Sequence, residues 1–248
     1  MTFTDAQTAL AERFAQHAGR GIHRFSMIGP GDRVLIGVSG GKDSLALSLA
    51  LAMRKRWVPI HYELHALQIE WREYPLTEPE KQAIDGFYDE LEIPLRRVPA
   101  SICPPTFRKR FSCYTCSRNR KRLLFNEAAR IGATRIALGH HLDDIARTTL
   151  MNLFFRGEFS TMMPVQEFFG GKLSIIRPLC EVREAEVARV ASRLSFPVVH
   201  PRCPNADKNQ RVLMKEILRQ ASHVDRHAAT NVYGAAWRIN HDYLPGGE

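Results

Sequence analysis

The chain has 248 residues, 44% of them apolar, enough to bury a sizeable core in one large α/β domain or in one domain with an appendage. Lysine and arginine number 35 against 26 acidic residues, a formal charge of +9, which favours an anionic partner such as nucleic acid, although many enzymes are simply basic. The N-terminus MTFTDAQTALAERF lacks the apolar run of a signal peptide, and no window approaches about 18 uninterrupted apolar residues, so a cytoplasmic chain without a membrane span is expected.

Residues 3–27 read as an amphipathic helix that ends near Gly19 to Gly21. Pro30-Gly31-Asp32 is a turn, and Arg33 to Val38 is a short β-branched apolar run suited to a buried parallel strand. A glycine-rich loop leads into a helix over Ser44 to Arg56, whose basic end suits the helix dipole. Ile60 to Ile69 alternates as a second strand, Thr77 to Leu91 is a helix capped by Thr77, and Leu95 to Val98 is a third strand. Residues 101–122 break the pattern with prolines, cysteines and basic runs, and the helix resumes at Leu123 to Arg130. Arg135 to Leu138 is a fourth strand and Asp143 to Phe155 a helix. Residues 156–172 form a glycine-rich connection, Ser174 to Arg177 is a fifth strand, Arg183 to Leu194 a helix, and Asp207 to Tyr233 a helical basic tail. Strands alternating with helices predict an α/β fold with a doubly wound parallel sheet. The expected organisation is a helical extension over 1–30, a catalytic domain over 31–205 with a cysteine-bearing insert at 101–122, and a C-terminal helical tail over 206–248.

The most informative segment is Ser39-Gly40-Gly41-Lys42-Asp43-Ser44 between a strand and a helix. Adjacent glycines let the backbone turn N–H groups toward an anion, the helix adds its positive end, Lys42 a point charge, and Ser39 and Ser44 hydroxyl donors. A Walker A loop would need glycine where Ile36 stands and Ser or Thr where Asp43 stands. The segment matches the SGGxDS pattern of PP-loop ATP pyrophosphatases, which resemble one another in splitting ATP between the α and β phosphates to adenylate a carbonyl oxygen.

Five cysteines in a cytoplasmic chain favour metal or redox chemistry over disulfides. Cys113 and Cys116 form a CxxC; Cys203 is the distant partner in His200-Pro201-Arg202-Cys203-Pro204. Three thiolates suit a [4Fe–4S] cluster with one open iron. On spacing alone, the cluster and zinc held by the three cysteines and His200 stand about even, with a metal-free thiol pair as a smaller third option. Cys180 reads as a small buried hydrophobe and Cys103 as incidental.

Taken together, VLIGVSGGKDSLAL (34–47), the run from CYTCSRNRKR to STMMP (113–164), IIRPL (175–179), REAEV (183–187) and FPVVHPRCPN (196–205) resemble the tRNA 2-thiocytidine synthetases. The resemblance implies thiolation of a cytidine in the tRNA anticodon loop, dependent on ATP, Mg²⁺ and a [4Fe–4S] cluster. Carried over, Cys113, Cys116 and Cys203 hold the cluster, Ser39 to Ser44 hold ATP, and Gly139, His140, Asp143 and Asp144 form the second ATP and Mg²⁺ side. Lys42, Asp43 and Asp143 become the catalytic candidates. The partners implied are tRNA, a cysteine desulfurase or other sulfide donor, and a second copy in a homodimer. Two departures stand out: His200 replaces the first member of a second CxxC, and Ala66 to Glu70 replaces an Asn-Leu-Asp-like turn. The acids of the LDD segment also suit a helix N-terminus without any function, and the basic runs Arg108 to Arg110 and Arg118 to Arg122 suit either RNA phosphates or a solvated face. A different (thio)pyrimidine substrate, or an ATP- or redox-sensing RNA-binding protein without turnover, are the competing readings.

Overall fold

The computed structural model describes residues 3–102, 112–200, 202–203 and 210–243. Six strands form one sheet: β1 (Arg33–Val38), β2 (Glu63–Trp71), β3 (Leu95–Ala100), β4 (Arg135–Ala137), β5 (Val165–Phe168) and β6 (Leu173–Ile176), in the spatial order β3-β2-β1-β4-β6-β5. Every neighbouring pair is parallel except β5 with β6. The helices are α1 (Asp5–Arg24), α2 (Lys42–Arg54), α3 (Glu78–Glu90), α4 (Cys113–Ile131), α5 (Leu142–Arg156), α6 (Glu184–Arg193), α7 (Gln210–Val224) and α8 (Ala228–Ala235).

A strand covered on both faces must be apolar at consecutive positions, and β1 meets that demand with Val34, Leu35 and Ile36 all buried. Leu35 joins Leu67, Ile136 and Ile175 in a layer sealed by Leu124 and Ala128 of α4. The alternate side chains of β1 point to the opposite face, where α2 packs against α1 and α6. Each fully buried leucine or isoleucine in these layers contributes about 1.5–3 kcal/mol.

The chain divides into two compact units, Met1–His141 with Pro164–Ala206, and Leu142–Met163 with Asp207–Glu248. The first holds the whole sheet. In the second, α5 packs on α7 and α8, and the return after α5 is tied to it by Thr149 Oγ1 donating to Thr161 Oγ1 at 2.8 Å and Asn152 Nδ2 donating to the Ser160 carbonyl at 3.0 Å.

Several sequence expectations shift. The first helix runs straight through Gly19 and Gly21 to Arg24, because Gly21 lies against Cys180 and Pro178 and serves close packing instead of termination. Helix α2 begins at Lys42, so the glycine loop is shorter than its sequence suggests. Helix α4 begins at Cys113, not Leu123: Ser112 caps it by accepting the Thr115 N–H at 3.1 Å, and the basic run continues as helix. The glycine-rich connection contains β5, which hydrogen-bonds the edge of β6 through a turn built on Gly170 and Gly171, both at positive φ. The tail helix breaks at Asp225–His227 into α7 and α8. Cys103 and the Arg108 to Arg110 run lie outside the described residues.

Candidate active site

In an open parallel sheet, ligands bind outside the carboxyl ends of the strands where the order reverses. Here that point lies between β1 and β4, both paired in parallel at Ile36 and Ala137. The loop after β1 is Ser39–Gly41, and the loop after β4 is Leu138–His141.

The first loop is folded by its own serines. Ser39 Oγ accepts the Gly41 N–H at 3.2 Å and meets Ser44 Oγ at 3.2 Å, and Ser44 Oγ donates to the Gly41 carbonyl at 2.9 Å. Gly40 has φ +80°, a conformation glycine adopts without strain. Helices α1, α3 and α4 are capped by side chains, whereas α2, like α6, has no side-chain cap; behind its N-cap Gly41, the Ser44 N–H turns back to the Gly41 carbonyl at 3.1 Å. Backbone donors, a positive dipole end and Lys42 therefore converge where an anion can sit.

Lys42 Nζ donates to Asp43 Oδ1 at 2.7 Å and lies 3.6 Å from Glu184 Oε1, at the first residue of α6. His141, buried, places Nε2 3.8 Å from Asp43 Oδ1. Gly139 brings the β4 loop against the first turn of α2 so closely that a Cβ there would stand 2.8 Å from the Asp43 carbonyl oxygen. Beneath Gly40 lies buried Gln68 of β2, whose Oε1 accepts Arg97 Nε at 2.8 Å; Arg97 in turn pairs with Asp85 Oδ1 at 2.8 Å.

The cysteine-bearing elements reach the same edge by two routes. Cys113 and Cys116 lie one turn apart in the first turn of α4. That helix is anchored to the exit of β3: Asn119, fully buried, donates through Nδ2 to the Ser101 carbonyl at 2.7 Å and accepts from Arg122. Glu73 accepts the Ile102 N–H at 3.0 Å and the Ser101 hydroxyl. The segment after α6 crosses to the phosphate loop, where the Val199 N–H donates to the Gly40 carbonyl at 2.9 Å. Arg202 then donates to the Pro75 carbonyl and to Glu80 Oε1, each at 2.7 Å, immediately before Cys203. None of the four described cysteines is in a disulfide; Cys113 is exposed and Cys180 buried, as expected of a small hydrophobe. Among the described residues no three His, Cys, Asp or Glu side chains are gathered closely enough to hold a metal ion.

Asp143 and Asp144 open α5 in the second unit, two and three residues beyond His141. Asp144 Oδ1 is 3.6 Å from Arg147 Nη1, and Arg147 Nε donates to the Asp143 carbonyl at 3.1 Å. His140 follows Gly139 in the β4 loop and is half-buried. Not all of the Arg118 to Arg122 run is available to RNA: Asn119 is core, Arg122 is bound to it, and Lys121 lies 4.2 Å over the Phe168 ring. Burial and the neighbouring Arg177 push the Lys121 ammonium below its usual pKa. Glu184, Gln68, Arg97 and Arg202 carry no local motif; only the fold brings them to the loops.

A serine- and glycine-folded loop feeding an uncapped helix at the switch point of a doubly wound sheet defines a PP-loop nucleotide-binding protein, and the PP-loop domain family model matches residues 10–220. The tRNA-cytidine(32) 2-sulfurtransferase of Alkalilimnicola ehrlichii is 31% identical over 95% of this chain and 76% of its own length. That of Tolumonas auensis is 34% identical over 85% and 70%, and that of Ralstonia nicotianae 32% identical over 98% and 79%. The chain belongs to the tRNA-cytidine(32) 2-sulfurtransferase family of PP-loop proteins. Its fold matches that of the U34-tRNA thiolase NcsA from Methanococcus maripaludis, solved with its [4Fe–4S] cluster, with TM-score 0.76 and 19% identity over 97% of this chain and 84% of that one. The NMN synthetase of Francisella tularensis matches at TM-score 0.52 and 15% identity, over 99% and 98%. No helix among the described residues is long and apolar enough to cross a membrane.

Proposed function

We propose that the protein thiolates a cytidine of the tRNA anticodon loop at C2, consuming ATP and releasing AMP and pyrophosphate. The observation that carries this reading is the hydrogen bond from Val199 N–H to the Gly40 carbonyl. It ties the segment that leads to Cys203 to the loop that suits ATP phosphates. That contact supports reading an adenylating loop and a sulfur-handling segment as parts of one site.

ATP suits the loops: an added Cβ at Gly139 would meet the Asp43 carbonyl at 2.8 Å and Gly40 takes a positive φ, so main chain rather than side chains shapes the turn there. Lys42 exchanges its Asp43 partner for the phosphates, and the first-turn N–H groups of α2 hold negative charge that develops on them. Asp43 would supply a carboxylate for Mg²⁺, and Asp143 and Asp144, with Gly139 and His140, are the further candidates to hold the nucleotide and its metal. The base O2 attacks the α-phosphorus; an O–P bond forms and the bond to pyrophosphate breaks. Sulfide then adds at C2, the C–O bond breaks, AMP leaves with the oxygen, and the sulfide protons pass to solvent.

The donor chemistry of Cys113, Cys116 and Cys203 fits a [4Fe–4S] cluster: three thiols for three irons, two of them one turn apart at a helix N-terminus. When bound, the cluster would supply an open iron able to hold sulfide, either added as such or released from the persulfide of a cysteine desulfurase by a thiol reductant. Arg202 and Val199 hold the third thiol's segment against α3 and the phosphate loop.

The test is anaerobic incubation of iron-loaded protein with ATP, Mg²⁺, sulfide and unmodified tRNA. Thiolated cytidine should appear with one AMP per modification. Formation of ADP without AMP, or thiolation of free pyrimidine in preference to tRNA, would overturn the reading.

A further inference from the structure

We infer that the open groove between α1 and α6 is a docking surface for the RNA backbone. This rests on the tRNA reading and names the surface that would grip the substrate. The groove, of about 800 Å³, is lined on one side by Arg13 and Arg20 and on the other by Arg189 and Arg193.

Two observations separate it from an ordinary solvated face. First, all four guanidinium groups are exposed, and none takes part in a side-chain hydrogen bond or ion pair among the described residues. The one acidic residue on the groove walls, Glu186, is already held by His17 at 2.9 Å. The groove walls thus carry four arginines against one glutamate, and among the described residues none of the four is paired with a carboxylate as Arg24, Arg97 and Arg130 are. Second, the arginines form rows. Arg13 and Arg20 lie two turns apart on α1, about 10.5 Å along the axis, and Arg189 and Arg193 lie about 6 Å apart on α6. The helices run in opposite directions, as the contacts of Gln7 Nε2 with the Arg193 carbonyl and of His17 with Glu186 require. Facing rows of charge suit a linear polyanion better than one small anion, and arginine forks bind phosphate oxygens in pairs.

The groove also has a definite place relative to the phosphate loop. Glu184 begins α6 and lies 3.6 Å from Lys42 Nζ. Arg189 follows about 7.5 Å further along that helix. Phosphates held here would anchor the RNA one to three helical turns from the loop, outside the nucleotide cradle.

The experiment measures tRNA affinity against salt for the full chain and for R13Q/R20Q, R189Q/R193Q and the equally charged control K55Q/R56Q. Lys55 and Arg56 are exposed at the far end of α2. Each groove variant should lower the slope of log affinity against log salt by about 1.4–1.8, weakening binding about 30-fold near 0.1 M salt. The control should change both far less. R13K/R20K should keep the wild-type slope, since lysine retains the charge. Groove variants that behave like the control, or a lysine variant whose salt slope falls as far as that of the glutamine variant, would overturn the proposal. Wild-type protein without salt-dependent tRNA binding would remove the tRNA reading, and this surface with it. ATP binding, measured in parallel, should be unchanged in all variants.

Discussion

Gly139 stands so close to Asp43 that a single added carbon would lie 2.8 Å from the Asp43 carbonyl oxygen and 3.1 Å from the Ser44 nitrogen. Backbone meets backbone there, so neither side can swing away as a long side chain would. The loop after β4 is thereby held against the first turn of α2. Gly139→Ala should cost about 1–3 kcal/mol through overpacking. The melting temperature should fall by about 2–4 °C per kcal/mol, and ATP-dependent pyrophosphate release should fall more steeply than stability. An alanine variant with wild-type melting and turnover would show that the loop and the helix turn do not need this contact.

Gly40 combines a φ of +80° with a position 3.4 Å from the Val199 Cβ. Gly40→Ala should therefore cost about 1–2 kcal/mol from the left-handed backbone alone. It should also loosen the Val199 bond, so ATP affinity and protease resistance near residue 200 should decline together. Limited proteolysis with and without ATP measures both.

Glu80 closes the capping box of α3 by accepting from the Thr77 N–H and hydroxyl at 2.8 and 2.9 Å, and it also receives Arg202. Those Thr77 bonds, helped by Arg202, hold its carboxyl below the ordinary value of 4.5. A carboxylate lowered in the folded state adds stability that is complete above its unfolded pKa and is lost as pH falls through its folded one. The stability difference between wild type and Glu80→Gln should stay level from pH 8 to about 5 and shrink below that. Denaturant titrations across this range would check it; a difference that grows on acidification would refute the assignment.

The Tyr88 hydroxyl meets Ser48 Oγ at 2.7 Å, and Ser48 Oγ donates to the Ser44 carbonyl at 3.0 Å. This buried link braces α3 against the helix that starts at the phosphate loop, and burial pushes the Tyr88 phenol well above its usual pKa. Tyr88→Phe should lose about 1 kcal/mol, because Ser48 keeps its backbone acceptor. Pyrophosphate release at saturating ATP should be nearly unaffected.

Replacing Cys113, Cys116 or Cys203 by serine should abolish stable iron incorporation and the brown absorption after anaerobic reconstitution, while ATP binding persists. Cys180→Ser should instead keep its iron and lose stability, since that side chain is buried. Zinc bound by the wild type in place of iron, and lost on each of these three replacements, would return the site to the Cys3His alternative.

The sequence by itself determined the chemistry on offer. SGGKDS after a β-branched strand is local: the glycines, serines and lysine that fold and charge the loop are neighbours in the chain, so the loop was legible there. The same holds for Thr77 as a helix cap and for the buried apolar run of β1. What lay outside its reach depended on partners distant in the chain. Cys113 reads as part of an irregular insert until Ser112 is seen capping α4 and Asn119 is seen bonding Ser101. β5 hides in a glycine-rich stretch because an edge strand is defined by the neighbour it pairs with. Above all, only the tertiary structure sets β1 beside β4 and lays Val199 on Gly40. The phosphate loop, the Gly139 turn and the segment leading to Cys203 thus share one edge because hydrogen bonds and close backbone packing join them there. No local pattern encodes that meeting.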